Sequence, residues 1–166
     1  MFTFNQDQKN YLIKNNLGRQ NRKFAFIWLI FSVKSFQRDT IKENSIAISF
    51  DDGYVSNIKY ALPILEEYKI PFVIFVATGF IKQQSTQFMS RTQLHRLANH
   101  ELVSIGSHTV THPHLVRCNN EILRRELIES KLFLEDICGT KIDCLSYPNG
   151  TYDARTITET KKAGYQ

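Results

Sequence analysis

A chain of 166 residues with 42% hydrophobic and 12% aromatic content has enough apolar material for one packed domain, which excludes a disordered or low-complexity protein. The net charge of +5 sits at one end: residues 1–45 hold eight Lys/Arg against three Asp/Glu, and the remaining thirteen of each (21 − 8 and 16 − 3) cancel over residues 46–166. The division expected is therefore a basic N-terminal arm, 1–45, read as a solvated segment without a nucleic-acid partner, followed by a neutral folded unit, 46–166.

In chain order, the first apolar stretch is 24–33 (FAFIWLIFSV). It is shorter than the roughly 20 residues of a membrane span, and no small-residue cleavage pattern follows it, so it is expected as a buried strand, with neither a transmembrane span nor a readable signal peptide. From residue 46 the pattern alternates strand and helix. Ile46–Phe50 is a short apolar strand closed by Asp51-Asp52-Gly53. The stretch 56–68 is helical, with Ile58, Leu62 and Leu65 on one stripe and a kink at Pro63. A doubly buried strand follows at 72–77 (FVIFVA), then a helix capped by Ser90 and running to Asn99, then a strand at 102–105. Asn120 is expected to cap a helix with Leu123, Leu127, Leu134 and Ile137 on one face and Gly139 at its end. A fourth strand at 142–145 and a last helix between Asp153 and Gly164 complete the series. Four strand–helix units in succession imply a parallel sheet with right-handed crossovers. Cys118, Cys138 and Cys144 lack metal-type spacing and are odd in number, so they read as reduced thiols, mostly buried.

The chemistry-bearing residues all follow strands, and the C-terminal ends of parallel strands are where α/β enzymes gather their sites. Asp51 and Asp52 follow the first strand of the unit, His108 and His112 the third, and Tyr147-Pro148-Asn149-Gly150 the fourth. Asp52, His108 and His112 offer one hard oxygen and two imidazoles to a divalent ion, with a position left open for water, as in catalytic zinc sites. The i,i+4 spacing of the two histidines places them on one face of a helical turn. Asp51 is then the base that takes a proton from water. Beyond the φ-fixed Pro148, the Asn149 N–H is aimed at a developing oxyanion. Tyr54, Tyr147 and Pro148 border the pocket. His114 faces elsewhere, and His95 and His100 read as solvated. The reaction this set suggests is hydrolysis of an amide or ester.

These same residues carry a family resemblance. Residues 49–54 (SFDDGY) and 107–113 (SHTVTHP), with 60–65, 71–81 and 146–150 (SYPNG), resemble the polysaccharide deacetylases of the NodB-like type, carbohydrate esterase family four. The resemblance implies a (β/α) barrel of seven strands, here partial. It implies Asp51 as general base and one divalent ion, zinc first, on Asp52, His108 and His112. It implies removal of acetyl groups from N-acetylhexosamine units of a polysaccharide, and favours an extracytoplasmic or cell-envelope location. Three departures accompany it. Ser146 stands where many members carry an arginine that orients the base, residues 1–45 do not follow the usual pattern, and the late strands and Leu-x-x-His segment of many members are missing by residue 166. The sequence-level expectation is thus a C-terminally truncated deacetylase, prone to self-association through an exposed barrel edge. Its alternatives are an inactive remnant that keeps metal or sugar binding, and a metal-dependent phosphohydrolase, against which stands the lack of a Gly-rich phosphate loop.

Overall fold

The computed structural model describes residues 28–31, 46–83 and 85–166. Four strands make one sheet in chain order: β1 (Trp28–Phe31), β2 (Ile46–Phe50), β3 (Phe72–Val76) and β4 (Val103–Ser107). Strands β2, β3 and β4 run parallel, with Phe72 opposite Val103 and Val76 opposite Ser107. The parallel pairing expected of the unit from residue 46 holds for β2–β4, and β1, outside that unit, pairs antiparallel to β2 with Trp28 opposite Ser49. Part of the apolar run 24–33 is therefore a strand, as expected. The rest of that run and of the basic arm lies outside the described residues.

Helices connect the parallel strands. The single kinked helix expected over 56–68 is two pieces: a π-turn, Asn57–Ala61, leads into α1 (Leu62–Glu67), whose first turn contains Pro63. A proline has no N–H to close a bond one turn back, and the wider turn before it absorbs that lost partner. Leu65 is buried, and Ile58 and Leu62 pack against the core beside it. Helix α2 (Thr78–Lys82) follows β3 directly, and α3 (Arg91–Ala98) opens on Ser90. The Ser90 hydroxyl accepts the Gln93 N–H at 3.2 Å while the Gln93 side chain accepts the Ser90 N–H at 2.8 Å. Helix α4 (Asn120–Cys138) is capped one residue earlier than expected, by Asn119, whose side chain accepts the Ile122 N–H at 2.9 Å. Asn120 instead accepts from the Arg155 guanidinium, a partner 35 residues away that local pattern does not reveal. Gly139 ends α4 at φ 67°, a conformation glycine reaches without a side-chain penalty. Helix α5 (Ala154–Lys162) opens on Asp153, as expected.

Residues 142–145 do not form the expected strand. They touch β4 through one parallel bridge, Ser107 to Leu145, with Ser107 N–H on the Cys144 carbonyl and Ser146 N–H on the Ser107 carbonyl, both 2.9 Å. The backbone groups of Ile142 go elsewhere: its N–H to the Glu135 carboxylate at 3.1 Å and its carbonyl to the Lys131 ammonium. Helix α4 thus takes the groups that a longer ladder would have used.

The core lies between the sheet and α4. Ile48, Phe50, Ile74 and Val76 meet Leu123, Leu127, Leu134 and Ile137, the stripe expected from sequence. Each such side chain contributes about 1.5–3 kcal/mol when fully buried. All three cysteines are free thiols, though only Cys138 is buried and the other two are half-buried. Burial pushes the Cys138 thiol up to about 11, so it stays protonated. No helix among the described residues is long and apolar enough to cross a membrane.

Candidate functional site

The ends of β2, β3 and β4 lie side by side, and the residues immediately beyond them build the site. After β2 the chain turns at Asp51-Asp52-Gly53, with the Gly53 N–H on the Asp51 carbonyl at 3.0 Å. Asp52 has φ 70°, a left-handed conformation that Asp tolerates better than most residues. Segment 87–89 braces this turn: Met89 N–H donates to the Gly53 carbonyl at 3.0 Å and Val55 N–H to the Gln87 carbonyl at 2.9 Å. The Tyr54 ring stacks on Phe88 at 4.8 Å. Burial, and then the adjacent Asp52 carboxylate with which it bonds, raises the Tyr54 phenol above its ordinary range.

After β4, His108 continues the pairing with β3, its N–H on the Val76 carbonyl at 2.9 Å. The helical turn expected over 108–112 does not form. Thr109 and His112 are left-handed, at φ 68° and 59°, so the two imidazoles meet across an irregular loop. A β-branched residue at positive φ costs about 1–3 kcal/mol and persists only where its surroundings hold it. Thr109 is fully buried and held on three sides: its carbonyl accepts the Thr78 N–H at 3.0 Å, its N–H donates to the Ser107 hydroxyl at 3.2 Å, and its own hydroxyl accepts the His112 N–H at 3.2 Å.

These two segments bring Asp52, His108 and His112 together, with one ligand atom from each lying within 4.8 Å of the others. Asp52 Oδ1 is 3.8 Å from His108 Nε2 and 3.6 Å from His112 Nε2. His108 Nδ1 lies 2.8 Å from the Ser146 carbonyl oxygen. A carbonyl only accepts, so Nδ1 carries the proton and Nε2 keeps a free lone pair facing Asp52. Burial first, and then the neighbouring His112, pushes the His108 imidazole down to about 4, against the opposing pull of the Ser146 carbonyl and Asp52. It is neutral at pH 7, the state a metal ligand requires. Burial, followed by the charge of Asp52, pushes the Asp51 carboxyl up to about 6. Asp51 has no ion-pair partner among the described residues, in keeping with serine rather than arginine at position 146.

The donor set fits a divalent cation on an observation of its own: Asp52 Oδ1 is buried and has no hydrogen-bond partner, although it is a carboxylate oxygen between two imidazoles. A buried carboxylate oxygen without a hydrogen bond is costly, and a cation at this point would satisfy it. The His112 and Asp52 side chains are 27% and 23% exposed against 3% for His108, so the group opens to solvent on one side.

The Tyr147–Gly150 stretch joins the site through the preceding residue, whose carbonyl holds His108. Tyr147 packs against the core with its ring 5.3 Å from that of exposed Tyr152 and tilted 32° to it, and Pro148 is buried. Asn149 is exposed at φ 58°, within a turn closed by the Gly150 N–H on the Tyr147 carbonyl at 2.9 Å. His114 stands apart, its ring 3.3 Å from the Thr151 hydroxyl. His95 is exposed as expected, though its Nδ1 lies 2.7 Å from the Ile137 carbonyl. His100, expected to be solvated, is half-buried because its Nδ1 accepts the Leu102 N–H at 3.3 Å. Sequence reasoning missed Glu126, a buried carboxylate among the apolar positions of α4, and a charge at a core position was the available signal.

The model of the family described as polysaccharide deacetylase matches residues 38–166. The chain belongs to the polysaccharide deacetylase family. It is 28% identical to the peptidoglycan-N-acetylmuramic acid deacetylase PdaA of Bacillus subtilis, over 83% of this chain and 51% of that protein. It is 31% identical to a peptidoglycan-N-acetylglucosamine deacetylase of Bacillus cereus, over 75% of this chain and 55% of that one. The chain thus spans about half the length of the curated relatives it matches. Among solved structures, a Streptococcus pyogenes deacetylase, PplD, in complex with acetate superposes with a TM-score of 0.72 at 19% identity, covering 99% of this chain and 62% of that one. A Bacillus cereus polysaccharide deacetylase superposes at 0.67 with 28% identity, over 75% of this chain and 39% of the other. The fold is accordingly the α/β, partial (β/α) barrel of that family, with the site at the C-terminal ends of its parallel strands.

Proposed function

We propose that this chain hydrolyses the acetamide of N-acetylhexosamine units in a polysaccharide, using one zinc-like ion held by Asp52, His108 and His112. The observation that carries this reading is the buried, partnerless Asp52 oxygen between two imidazoles, with a second carboxyl, Asp51, directly beside it. When bound, the ion supplies Lewis-acid polarisation and lowers the pKa of water from near 16 to about 7. The chain's residues do the rest. Asp51 accepts the proton of the attacking water, a task suited to a carboxyl whose affinity for protons is raised by burial. His108 is held in one tautomer and one orientation by the Ser146 carbonyl. The Asn149 N–H donates to the oxygen on which negative charge develops. Tyr54 and Tyr147 border the sugar, with Pro148 fixing the turn that carries Asn149. A carbon–oxygen bond forms and the carbon–nitrogen bond breaks, and the proton that Asp51 took from the water balances the one the leaving nitrogen gains, giving acetate and a free amine. An N-acetylated envelope polysaccharide as substrate, the kind named for the relatives, would put the work in the cell envelope or outside the cytoplasm.

Acetate release from N-acetylglucosamine oligomers, with zinc supplied and then removed by chelation, tests the reading. Zinc-dependent acetate supports it. Zinc uptake with no acetate from oligomers or from peptidoglycan overturns the activity in favour of a metal- or sugar-binding module. Phosphate release from a generic phosphoester, without acetate, would overturn it in favour of a phosphohydrolase.

A further inference from the structure

Glu126 lies in the second turn of α4 at 2% exposure, between the buried leucines 123 and 127. Its carboxylate has no ion-pair partner among the described residues. The carboxylate's hydrogen bonds go to one short stretch of another segment. One oxygen accepts both the Val110 and the Thr111 N–H at 2.8 Å, and the other accepts the Thr111 hydroxyl at 2.7 Å. Burying a carboxylate is unfavourable unless donors replace its water, and a leucine here would have continued the apolar stripe. The three donors come from Val110 and Thr111, two of the three residues between His108 and His112, within a loop whose ends at Thr109 and His112 are both left-handed.

The opposite side of this loop is held as well. The Thr78 and Gly79 N–H groups, at the start of α2, donate to the Thr109 and Val110 carbonyls at 3.0 and 2.8 Å. Donors press from α2 and an acceptor pulls from α4, so successive peptide groups of the loop are fixed on both faces. His108 has its own anchor in Ser146. The His112 ring approaches Asp52 at 3.6 Å and lies between the His108 and Phe80 rings, at 4.7 and 6.3 Å, so its reach towards Asp52 depends on where its backbone is held.

We propose that Glu126 is a positioning residue for the metal centre: its carboxylate sets the 110–111 backbone and thereby the placement of the His112 imidazole against Asp52. The inference rests on the reading that Asp52, His108 and His112 hold a divalent ion. Partners of this kind, one bond removed from the ligands, typically govern metal affinity about 10–100-fold.

The test is zinc affinity of the purified chain, measured by competition with a chromophoric chelator well below the melting temperature, with folding checked by circular dichroism. Glu126→Leu removes the acceptor and is expected to weaken zinc binding about 10–100-fold. Glu126→Asp keeps the charge but falls one methylene short, and should weaken it similarly, so the test survives if the Leu variant does not fold. Glu126→Gln should recover most of the affinity, because the amide oxygen accepts the two N–H groups and the Thr111 hydroxyl can turn to accept from the amide nitrogen. Leu134→Ala, a core truncation in the same helix away from the loop, should lower the melting temperature and leave zinc affinity unchanged. Unchanged affinity in the folded Glu126 variants overturns the inference, as does an equal loss in Leu134→Ala. A wild-type chain that binds no zinc overturns the metal reading itself, and this inference with it.

Discussion

The two halves of the site are built in opposite ways. On the histidine side nearly every polar group has a protein partner: Ser146 holds His108, Ser107 and Thr78 hold Thr109, and Glu126 and Gly79 hold the peptide groups between. On the aspartate side the backbone is braced by segment 87–89, yet Asp52 Oδ1 has no partner and Asp51 is pushed towards its neutral form. The histidine loop is held by protein partners on both faces, whereas the aspartate half leaves a buried carboxylate oxygen unsatisfied. A cation is therefore asked for by the aspartates and merely received by the histidines.

The sharpest way to break this contrast is to change the two carboxyls separately. Asp52→Asn keeps the shape and tolerates φ 70°, so the turn should survive while zinc binding is lost. Asp51→Asn should keep zinc and lower acetate release by about 10²–10⁴. Metal analysis alongside an acetate assay reads both. Zinc retained by the Asp52 variant, or undiminished turnover in the Asp51 variant, would undo the respective role.

A smaller effect is expected from Gly79→Ala. An added Cβ would stand 2.6 Å from the Val110 carbonyl oxygen, which is backbone and cannot swing aside. The chain should lose about 1–3 kcal/mol of stability, with weakened zinc binding because the displaced loop carries His112. Thermal melting of the metal-free and zinc-loaded forms checks this. An unshifted melting point in both would show that the loop yields more freely than its hydrogen bonds imply.

The smallest effect lies away from the site and shows whether stability and metal binding separate. Hydrogen bonds from Arg124 first, and then Lys162, hold the Glu159 carboxyl down to about 2, against an ordinary value of 4.5. A carboxyl depressed on folding adds stability above its unfolded value, and that contribution is lost as pH falls from 4.5 towards 2. Glu159→Gln should flatten the acid limb of a melting-temperature profile in that window and leave zinc affinity at pH 7 unaltered. An acid limb identical to the wild type would remove Glu159 from the account.

Much of this arrangement was legible in the sequence where a local signal existed. The Ser90 and Asp153 caps and the Leu123–Ile137 stripe depend on nearest neighbours or on residue type and appear as read, and Asp52, His108 and His112 do converge. The misreadings have one cause, partners distant in sequence. Asn119 caps α4 while its neighbour Asn120 meets Arg155; residues 142–145 surrender backbone groups to Glu135 and Lys131; His108 and His112 meet through a loop pinned by Glu126 and α2 instead of a helical turn. Spacing alone brought together two histidines that do converge, but on the wrong backbone.

The buried polar chain behind the histidine loop has a consequence for the order in which the site comes into being. The Tyr165 hydroxyl donates to the Leu127 carbonyl at 2.9 Å and lies 3.3 Å from the Ser130 hydroxyl, which the Ser107 hydroxyl meets at 2.8 Å. Asp52, His108 and His112 are therefore synthesised before Glu126, Ser146 and Tyr165, the residues that hold the loop and the strand end in place. At about 5–20 residues per second, the interval between His112 and Tyr165 is on the order of 3–10 s. Until it has passed, Asp52, His108 and His112 lack part of the polar set that holds the histidine loop and the end of β4.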